Sequence, residues 1–381
     1  MVPASTLCRR NIMNRLGLYI HIPFCKSKCN YCNFYSFCAN KSEYNTYTDA
    51  LIKSIQKYGS VYHDRIVDTV YFGGGTPSVL GTVRLCRILQ AAVNAFRIVS
   101  DAEITFEANP TSADALDSYR LKEAGFNRIS FGLQSANNTE LKALGRRHTA
   151  EEAKEVILSA QKAGFDNLSL DLILCVPDQT MESLKRSIDF AASCCVQHIS
   201  AYILKIEEGT PFYRIKDSLS LPSDDEQAKI YEYAVRSLEE KGYHQYEISN
   251  FAKSGFESRH NLRYWHDEEY LGLGPSSHSF IDGKRFYYPD NINDFYADKT
   301  VFEDNGGDIE EYIMLRLRLT EGLNFKEFRK RFNKEIDSRI LNRASALLPE
   351  HLVELSDNSL RLTVKGFLVS NAIIAYLLDN T

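Results

Sequence analysis

Residues 19–32 read Tyr-Ile-His-Ile-Pro-Phe-Cys-Lys-Ser-Lys-Cys-Asn-Tyr-Cys, which places cysteines at 25, 29 and 32. A zinc site usually takes four ligands as two separated pairs, and the chain holds no second C-x2-C pair. Three thiolates on one short loop can hold three irons of a cubane cluster and leave the fourth iron open. Cys25, Cys29 and Cys32 are therefore predicted to bind a [4Fe-4S] cluster. A zinc site lacking one ligand and plain buried cysteines are the alternatives.

The cluster loop follows the first of six short apolar runs that alternate with helical patterns. The predicted strands are 18–22, 67–72, 102–107, 128–132, 167–172 and 198–204. The predicted helices are 44–58, 83–96, 113–124, 150–163 and 181–192. Gly125 and Gly164 each follow a helix and precede a strand, which suits a left-handed C-terminal cap. This repeat predicts parallel strands with helices outside, as a doubly wound sheet or as a barrel of fewer than eight strands.

Polar or small residues recur where these strands end, and the carboxyl ends of parallel strands share one ligand-binding edge. The second strand runs into a glycine-rich loop containing Gly74, Gly75 and Thr76, whose backbone a ligand can approach closely. The other residues of this set are Glu107, Gln134, Arg146 and Asp171. Each of them alone more often serves structure, but together they predict a cofactor pocket.

The remaining chain divides by pattern. We expect a leader over 1–16, the strand–helix domain over 17–208, a connecting region over 209–298 and a helical C-terminal domain over 299–381. Residues 243–296 look irregular and 298–307 look like a linker. The C-terminal helices precede a hairpin at 352–363, an order that resembles a winged helix.

The composition argues against several classes of protein. The 381 residues carry 45 Lys and Arg against 50 Asp and Glu, and the helix 337–347 lacks a dense basic stripe, so no nucleic-acid partner is expected. No apolar run approaches the roughly 18 residues that span a bilayer. The start has no secretory signal, and its early arginines give only a faint organelle-transit character. A cytoplasmic protein is expected, in which Cys8, Cys38, Cys86, Cys175, Cys194 and Cys195 are free thiols, mostly buried.

The cysteine spacing, with Tyr31 before the third cysteine, resembles the radical S-adenosylmethionine (SAM) superfamily. The stretches Gly-Gly-Gly-Thr-Pro-Ser, Glu-Ala-Asn-Pro, Gly-Leu-Gln-Ser and Leu-Gly-Leu-Gly resemble, within it, the oxygen-independent coproporphyrinogen III oxidase group. The resemblance runs from about Gly17 to the C-terminal helices. It implies a partial, TIM-like (βα)6 barrel that a mostly helical C-terminal domain closes. The SAM contacts that it implies are Tyr19, Tyr31, Gly74, Gly75, Thr76, Glu107, Gln134, Arg146 and Asp171.

Three departures favour the heme chaperone (HemW-type) branch of that group. The oxidase carries a fourth cysteine where this chain has Phe34, and it has a long N-terminal segment where only 18 residues precede Tyr19. Residues 260–265, His-Asn-Leu-Arg-Tyr-Trp, match the H-N-x-x-Y-W motif of the chaperones. The motif residues are His260, Asn261, Tyr264 and Trp265.

These residue types suit a porphyrin. His260 can ligate iron, Tyr264 and Trp265 can stack on a macrocycle, and Arg259 and Arg263 can pair with propionates. A structural loop with a capping His-Asn pair is the alternative. His266, His278 and Cys38 are alternative iron ligands.

The resemblance thus implies a chaperone that carries heme on its C-terminal side to client heme proteins, such as respiratory enzymes at the membrane. Its cofactors would be the cluster, SAM and heme, and a reductant protein would serve the cluster. The sequence does not decide between a monomer and a homodimer. The alternative is a radical SAM enzyme that decarboxylates porphyrinogen propionates. A nucleic-acid-binding regulator is the least favoured hypothesis.

Overall fold

The computed structural model describes residues 14–113 and 116–379. Most of the predicted leader, together with Cys8, lies outside the described residues. Two further residues, 114 and 115, interrupt the stretch predicted as a helix over 113–124. Of the described residues in this stretch, Ala113 ends one short helix and 118–123 form another.

The first half of the chain alternates strands and helices, as predicted. Its parallel strands are β1 (Arg15–Ile22), β2 (Ile66–Gly74), β3 (Arg97–Ala108), β4 (Arg128–Gln134), β5 (Asn167–Leu174) and β6 (His198–Ile203). The helices among them are α1 (Lys41–Val61), α2 (Thr82–Ala95), α3 (Pro110–Ala113), α4 (Ser118–Glu123), α5 (Asn138–Ala143), α6 (Ala150–Lys162) and α7 (Met181–Ser193). Gly125 and Gly164 have φ of 110° and 89°, which confirms the left-handed conformation expected of them.

Strands β1 to β6 pair in chain order, each parallel to the next. Side chains from β2 to β6 line one cavity, and Tyr19 of β1 stacks on Tyr71 of β2 with ring centroids 6.3 Å apart. The sheet is therefore curved with a polar interior, as a partial (βα)6 barrel requires. Outside it, the helices cover an apolar core that includes Leu18, Phe72 and Leu170.

The connecting region is more regular than predicted. After α8 (Pro211–Arg214) and α9 (Asp224–Glu240), it adds strands to both edges of the barrel sheet. These elements are β7 (His244–Gln245), β8 (Asn250–Ala252), α10 (Arg259–Trp265), β9 (Tyr270–Leu273), β10 (His278–Ile281), β11 (Lys284–Tyr287), α11 (Ile292–Tyr296) and β12 (Val301–Asn305). The sheet order is β12-β11-β10-β9-β1-β2-β3-β4-β5-β6-β8-β7.

Two predictions for this region are wrong. The stretch 243–296 is not irregular, because its short strands find partners on β1 and β6. The expected linker at 298–307 contains the edge strand β12, which pairs with β11 while all five of its residues stay exposed. A strand without a buried face has no apolar alternation to reveal it.

The C-terminal region is mostly helical, with a small antiparallel sheet of three strands. Its elements are α12 (Ile309–Arg316), β13 (Leu323–Asn324), α13 (Phe325–Phe332), α14 (Ser338–Leu347), β14 (Val353–Leu355), β15 (Ser359–Leu362), α15 (Val364–Leu368) and α16 (Ser370–Leu378). The predicted hairpin is β14–β15, and β13 adds a third strand on β15. Polar contacts join this region to the rest, including the ion pair of Arg331 with the buried Asp267. Among the described residues, no helix has the length and apolar character needed to cross a membrane.

Candidate functional site: a cavity at the carboxyl ends of the barrel strands

A cavity of about 570 Å³ opens at the carboxyl ends of the barrel strands. All three motif cysteines line it. So do most of the residues predicted to contact SAM, namely Tyr31, Gly74, Gly75, Thr76, Glu107, Gln134, Arg146 and Asp171. Tyr19 lies beside this set, with its ring against Tyr71, which also lines the cavity. The structure thus brings the predicted cluster and SAM residues together.

Backbone hydrogen bonds hold the cysteine loop in place. The Cys25 amide donates to the Phe37 carbonyl at 3.0 Å, and the Asn30 amide donates to the Leu144 carbonyl at 3.1 Å. The Asn30 side-chain amide also reaches the Ala143 carbonyl at 2.8 Å. The loop is therefore closed on itself near Cys25 and fastened at Asn30 to the connection that follows β4, while its thiols stay partly accessible.

The glycine-rich loop packs directly on the cysteine loop. The amides of Gly75 and Thr76 donate to the carbonyls of Ile22 and Phe24, both at 2.8 Å. A Cβ on Gly75 would lie 2.7 Å from the Phe24 carbonyl oxygen, so only glycine permits this contact. The Thr76 hydroxyl lies 3.4 Å from the Cys25 sulfur. The loop predicted to approach a ligand thus also shapes the cysteine loop.

The cluster at the three thiols stays a prediction from the sequence. Within residues 14–113 and 116–379, no three His, Cys, Asp or Glu side chains are arranged to hold one metal ion. A [4Fe-4S] cube asks for a wider spacing, since each thiolate binds a different iron. Lys26 and Lys28 line the same cavity and supply positive charge near an anionic cluster. Burial raises the pKa of the Cys32 thiol, opposed in part by Lys28.

Glu107 is the central acid of the cavity. Burial, helped by the nearby Asp171 carboxylate, raises the pKa of Glu107 to about 8. Two hydrogen bonds oppose this rise in part: one from the Tyr71 hydroxyl at 2.9 Å and one from the Gly74 amide. Asp171 also has a raised pKa because of burial, which hydrogen bonds from Ser200 and Ser130 oppose. Two half-buried acids suit a ligand that carries positive charge, as the sulfonium and ammonium of SAM do.

The half-buried Arg146 and the buried Arg128 offer unused donors to the same cavity. Arg146 donates to the Tyr31 hydroxyl at 2.8 Å, but its Nε has no partner among the described residues. The Nε of Arg128, a residue 1% exposed, is likewise unpaired within that part of the chain. Buried donors are normally satisfied, so both point to acceptor oxygens of a ligand or water. The carboxylate and ribose oxygens of SAM are acceptors of this kind.

Gln134 ends β4 in a left-handed conformation, with φ of 71°. A Cβ on the preceding Gly132 would lie 2.8 Å from the Gln134 side-chain nitrogen and 3.1 Å from the Arg146 guanidinium. Gly132 therefore allows these two side chains to converge at the cavity wall.

The motif predicted to bind heme lies on α10, which packs inside the barrel against β1, β2 and β3 and reaches the cavity through Asn261. His260 is 1% exposed; its Nδ1 lies 2.8 Å from the Thr69 hydroxyl and its Nε2 lies 2.9 Å from the Tyr264 hydroxyl. Both ring nitrogens are thus engaged, and iron ligation by His260 would require α10 to move. Asn261 lines the cavity, and Trp265 is half-buried.

The two motif arginines are placed differently from the expectation that they pair with propionates. Arg263 is 3% exposed and forms a buried ion pair with Asp68 and a second ion pair with the partly exposed Glu268. Arg259 donates to the Asp101 carbonyl at 2.6 Å. The charge of Arg263 is already paired in the interior, so a contact with a propionate would require Arg263 to leave Asp68.

The other cysteines differ in exposure. Cys175 and Cys194 are buried, Cys86 is half-buried, and Cys38 and Cys195 are exposed. The expectation that these thiols are mostly buried therefore fails for Cys38 and Cys195. All five are free, as predicted.

Two family models and several named relatives match this chain. Residues 19–191 match the model of the radical SAM superfamily, and residues 308–369 match that of the HemN C-terminal domain. A Bacillus subtilis protein named heme chaperone HemW is 35% identical over 94% of this chain and 98% of its own length. A Lactococcus lactis protein of the same name is 33% identical over 95% and 97%.

The chain belongs to the HemW family of the radical SAM superfamily. This membership implies a [4Fe-4S] cluster and SAM as cofactors. A solved structure of Escherichia coli coproporphyrinogen III oxidase (HemN) superposes with a TM-score of 0.84, covering 99% of this chain and 93% of that one. At 22% identity, this likeness shows the shared fold.

Two features of this HemW-family site escaped the sequence reasoning. Tyr71 and Arg128 line the cavity but were not selected, although each stands on the same strand face as selected residues. Arg128 alternates with Ser130, Gly132 and Gln134 along β4, so period-two counting from Gln134 would have found it.

Proposed function

We propose that this chain is a heme chaperone, which binds heme and hands it to client heme proteins while a [4Fe-4S] cluster and SAM occupy the barrel cavity. The observation that carries the proposal is the 35% identity to a Bacillus subtilis heme chaperone over 98% of that protein's length. Client heme proteins and a reductant protein are the partners it requires. The homodimer and the membrane-bound respiratory clients belong to the same proposal.

Cys25, Cys29 and Cys32 would hold the cluster, and the acidic and basic residues of the cavity would hold SAM. When bound together, these groups supply one-electron chemistry at the sulfonium. The chain's own residues orient and shield the ligand. In this proposal Arg146 would bind a carboxylate oxygen of SAM, and Glu107 would accept a hydrogen bond from its amino group.

Phe34 favours the chaperone over the oxidase. It stands where the oxidase group has a fourth cysteine, lines the cavity and is 66% exposed. An exposed ring on a cofactor loop contributes nothing to the core, but it suits contact with a flat apolar ligand.

The rim of the cavity provides further groups of this chemistry. Tyr202 lines it and is 42% exposed, while Arg147 and Lys205 add positive charge on the same rim. Heme presents a flat apolar face and two anionic propionates, so we place its contact surface at Phe34, Tyr202 and Arg147. The alternative is the α10 motif, with His260 released from Thr69 and Tyr264.

The test is heme titration of the anaerobically reconstituted protein, followed by mixing with an apo heme protein. The proposal expects one heme per chain and transfer of the Soret band to the acceptor. Phe34→Ala with Tyr202→Ala should weaken heme binding about tenfold, whereas Phe302→Ala, which removes an exposed ring on the edge strand β12, should leave it unchanged. Absence of saturable heme binding would reject the proposed function. Loss of binding in His260→Ala alone would move the site to α10.

A further inference from the structure

Helix α10 packs inside the barrel, near the amino-terminal ends of its strands. The Glu103 carboxylate accepts from the first two helical amides, those of Arg259 and His260, each at 3.1 Å. A carboxylate at a helix N-terminus is stabilising, and Glu103 is only 6% exposed. Across the helix, Arg263 pairs with Asp68, and a Cβ on Gly17 would lie 2.6 Å from the Arg263 side chain. These contacts fix α10 against β1, β2 and β3.

The His260 ring is held at both nitrogens inside this seat. The hydroxyls of Thr69 and Tyr264 lie 2.8 Å and 2.9 Å from Nδ1 and Nε2. Burial keeps the pKa of His260 well below its usual range, so the ring is neutral and donates through one nitrogen while it accepts through the other. The ring therefore has one fixed position and plane.

Two tyrosine rings of the barrel interior stack on the plane of His260. The Tyr71 ring stacks on His260 with centroids 5.2 Å apart and an angle of 23° between the planes. Tyr19 stacks on the same pair, 6.4 Å from His260 and 6.3 Å from Tyr71. From this stack, the Tyr71 hydroxyl reaches Oε1 of Glu107 at 2.9 Å. A continuous set of contacts thus links α10 to the central acid of the cavity.

Gly73 lies where Tyr71, Tyr19 and Glu107 pack closely together. A Cβ on Gly73 would lie 3.0 Å from the Tyr71 ring, 3.1 Å from the Tyr19 ring and 3.2 Å from Glu107. All three side chains converge on one residue without a side chain, so a tilt of Tyr71 moves the Glu107 contact with it.

We propose that His260 is a positioning residue of the SAM pocket, which orients Tyr71 and through it Glu107. The motif that resembles a heme site then has its resting role in SAM binding. A ligand that pulls His260 away from Thr69 and Tyr264 would also free Glu107 from its fixed position. Binding of such a ligand to α10 would therefore weaken the binding of SAM, and SAM would weaken the binding of that ligand. The inference rests on SAM as the ligand of the cavity and does not depend on where heme binds.

The test measures SAM affinity of the cluster-loaded protein by equilibrium dialysis, with no turnover required. Thr69→Val removes the hydroxyl beside Nδ1 in a side chain of equal size, and Thr69→Ser keeps it. We expect about tenfold weaker SAM binding for Thr69→Val and for His260→Ala, and near wild-type binding for Thr69→Ser. Tyr71→Phe, which keeps the stack but loses the bond to Glu107, should weaken binding similarly.

A spectroscopic readout separates positioning from general loss of structure. SAM added to the reduced cluster should change its electron paramagnetic resonance signal, and each weakened variant should need about tenfold more SAM for the same change. His278→Ala is the matched control, because His278 also stacks on a tyrosine, at 5.1 Å, but has a half-exposed side chain on β10. Unchanged SAM affinity in Thr69→Val and Tyr71→Phe would overturn the proposal. Heme titration of the same samples reports separately on the proposed function.

Discussion

The Tyr71 hydroxyl donates a 2.9 Å hydrogen bond to Glu107 Oε1 between neighbouring strands inside the barrel. The bond lowers the pKa of Glu107, yet burial and the Asp171 carboxylate still raise that pKa to about 8. The acid is thus kept in an environment that disfavours its charged form. Such an arrangement is typical of a ligand site, because the missing compensation comes from the ligand.

Glu107→Gln should make the cluster-free protein more stable at alkaline pH. The folded protein keeps the Glu107 proton up to about pH 8, whereas the unfolded chain releases it near pH 4.5. Stability of the wild type therefore falls as pH rises through this window, and the neutral amide removes that contribution. We expect Glu107→Gln to gain about 2–4 kcal/mol at pH 8 and to match the wild type near pH 4.5.

Urea unfolding between pH 4.5 and 8.5 measures this effect. Glu123→Gln, a change of an exposed acid on α4, serves as the control and should leave the pH dependence as it is. Parallel curves for Glu107→Gln and the wild type would show that Glu107 ionises freely in the folded protein, which contradicts the burial argument. The Gln variant should also bind SAM more weakly, since it lacks the negative charge.

Two glycine variants should separate the cluster from the SAM site. A Cβ at position 75 meets the Phe24 carbonyl at 2.7 Å, so Gly75→Ala should displace the cysteine loop and lower the iron content after reconstitution. The nearest atoms to a Cβ at position 132 are the side-chain ends of Gln134 and Arg146, so Gly132→Ala should keep the cluster and weaken SAM binding. Iron analysis and equilibrium dialysis check both. Equal cluster loss in the two variants would show that the loops are not independent.

The barrel was predictable because its strands carry the signal that sequence reveals best. Buried runs such as Leu168–Leu172 recur with helices of the right length between them, and Gly125 and Gly164 mark the ends of two helices. The flanking strands lack this signal. His244–Gln245 is two residues long, and Val301–Asn305 is fully exposed, so each exists only through its tertiary partner.

The candidate site was predictable where chemistry repeats at strand ends, as for Glu107 and Asp171. The position of His260 was not, because it depends on residues 191 apart in sequence that meet across the barrel. A histidine next to an asparagine and two aromatic residues suits a porphyrin as well as it suits an interior stack. Only the packing of α10 against β2 distinguishes them, and no local pattern encodes that packing.

Cys29→Ser should abolish the visible absorbance of the reconstituted cluster, because three protein thiolates are the fewest that hold a cube at one open iron. Cys38→Ser is the matched control. Cys38 is exposed and donates to the Lys26 carbonyl at 3.4 Å, so it lies near the loop but outside the motif. The account predicts a normal spectrum for Cys38→Ser. An unchanged spectrum for Cys29→Ser, or its loss in Cys38→Ser, would refute the ligand assignment.

The central proposal is that this HemW-family chain binds heme for delivery, in preference to the alternative that it oxidises porphyrinogens. It is tested most directly by dividing one anaerobically reconstituted sample between a heme titration and an assay for coproporphyrinogen III turnover with SAM and a reductant. The account predicts saturable binding of one heme per chain and no protoporphyrinogen above the level of a Cys29→Ser control. Protoporphyrinogen formed over many turnovers, with no saturable heme binding, would contradict it.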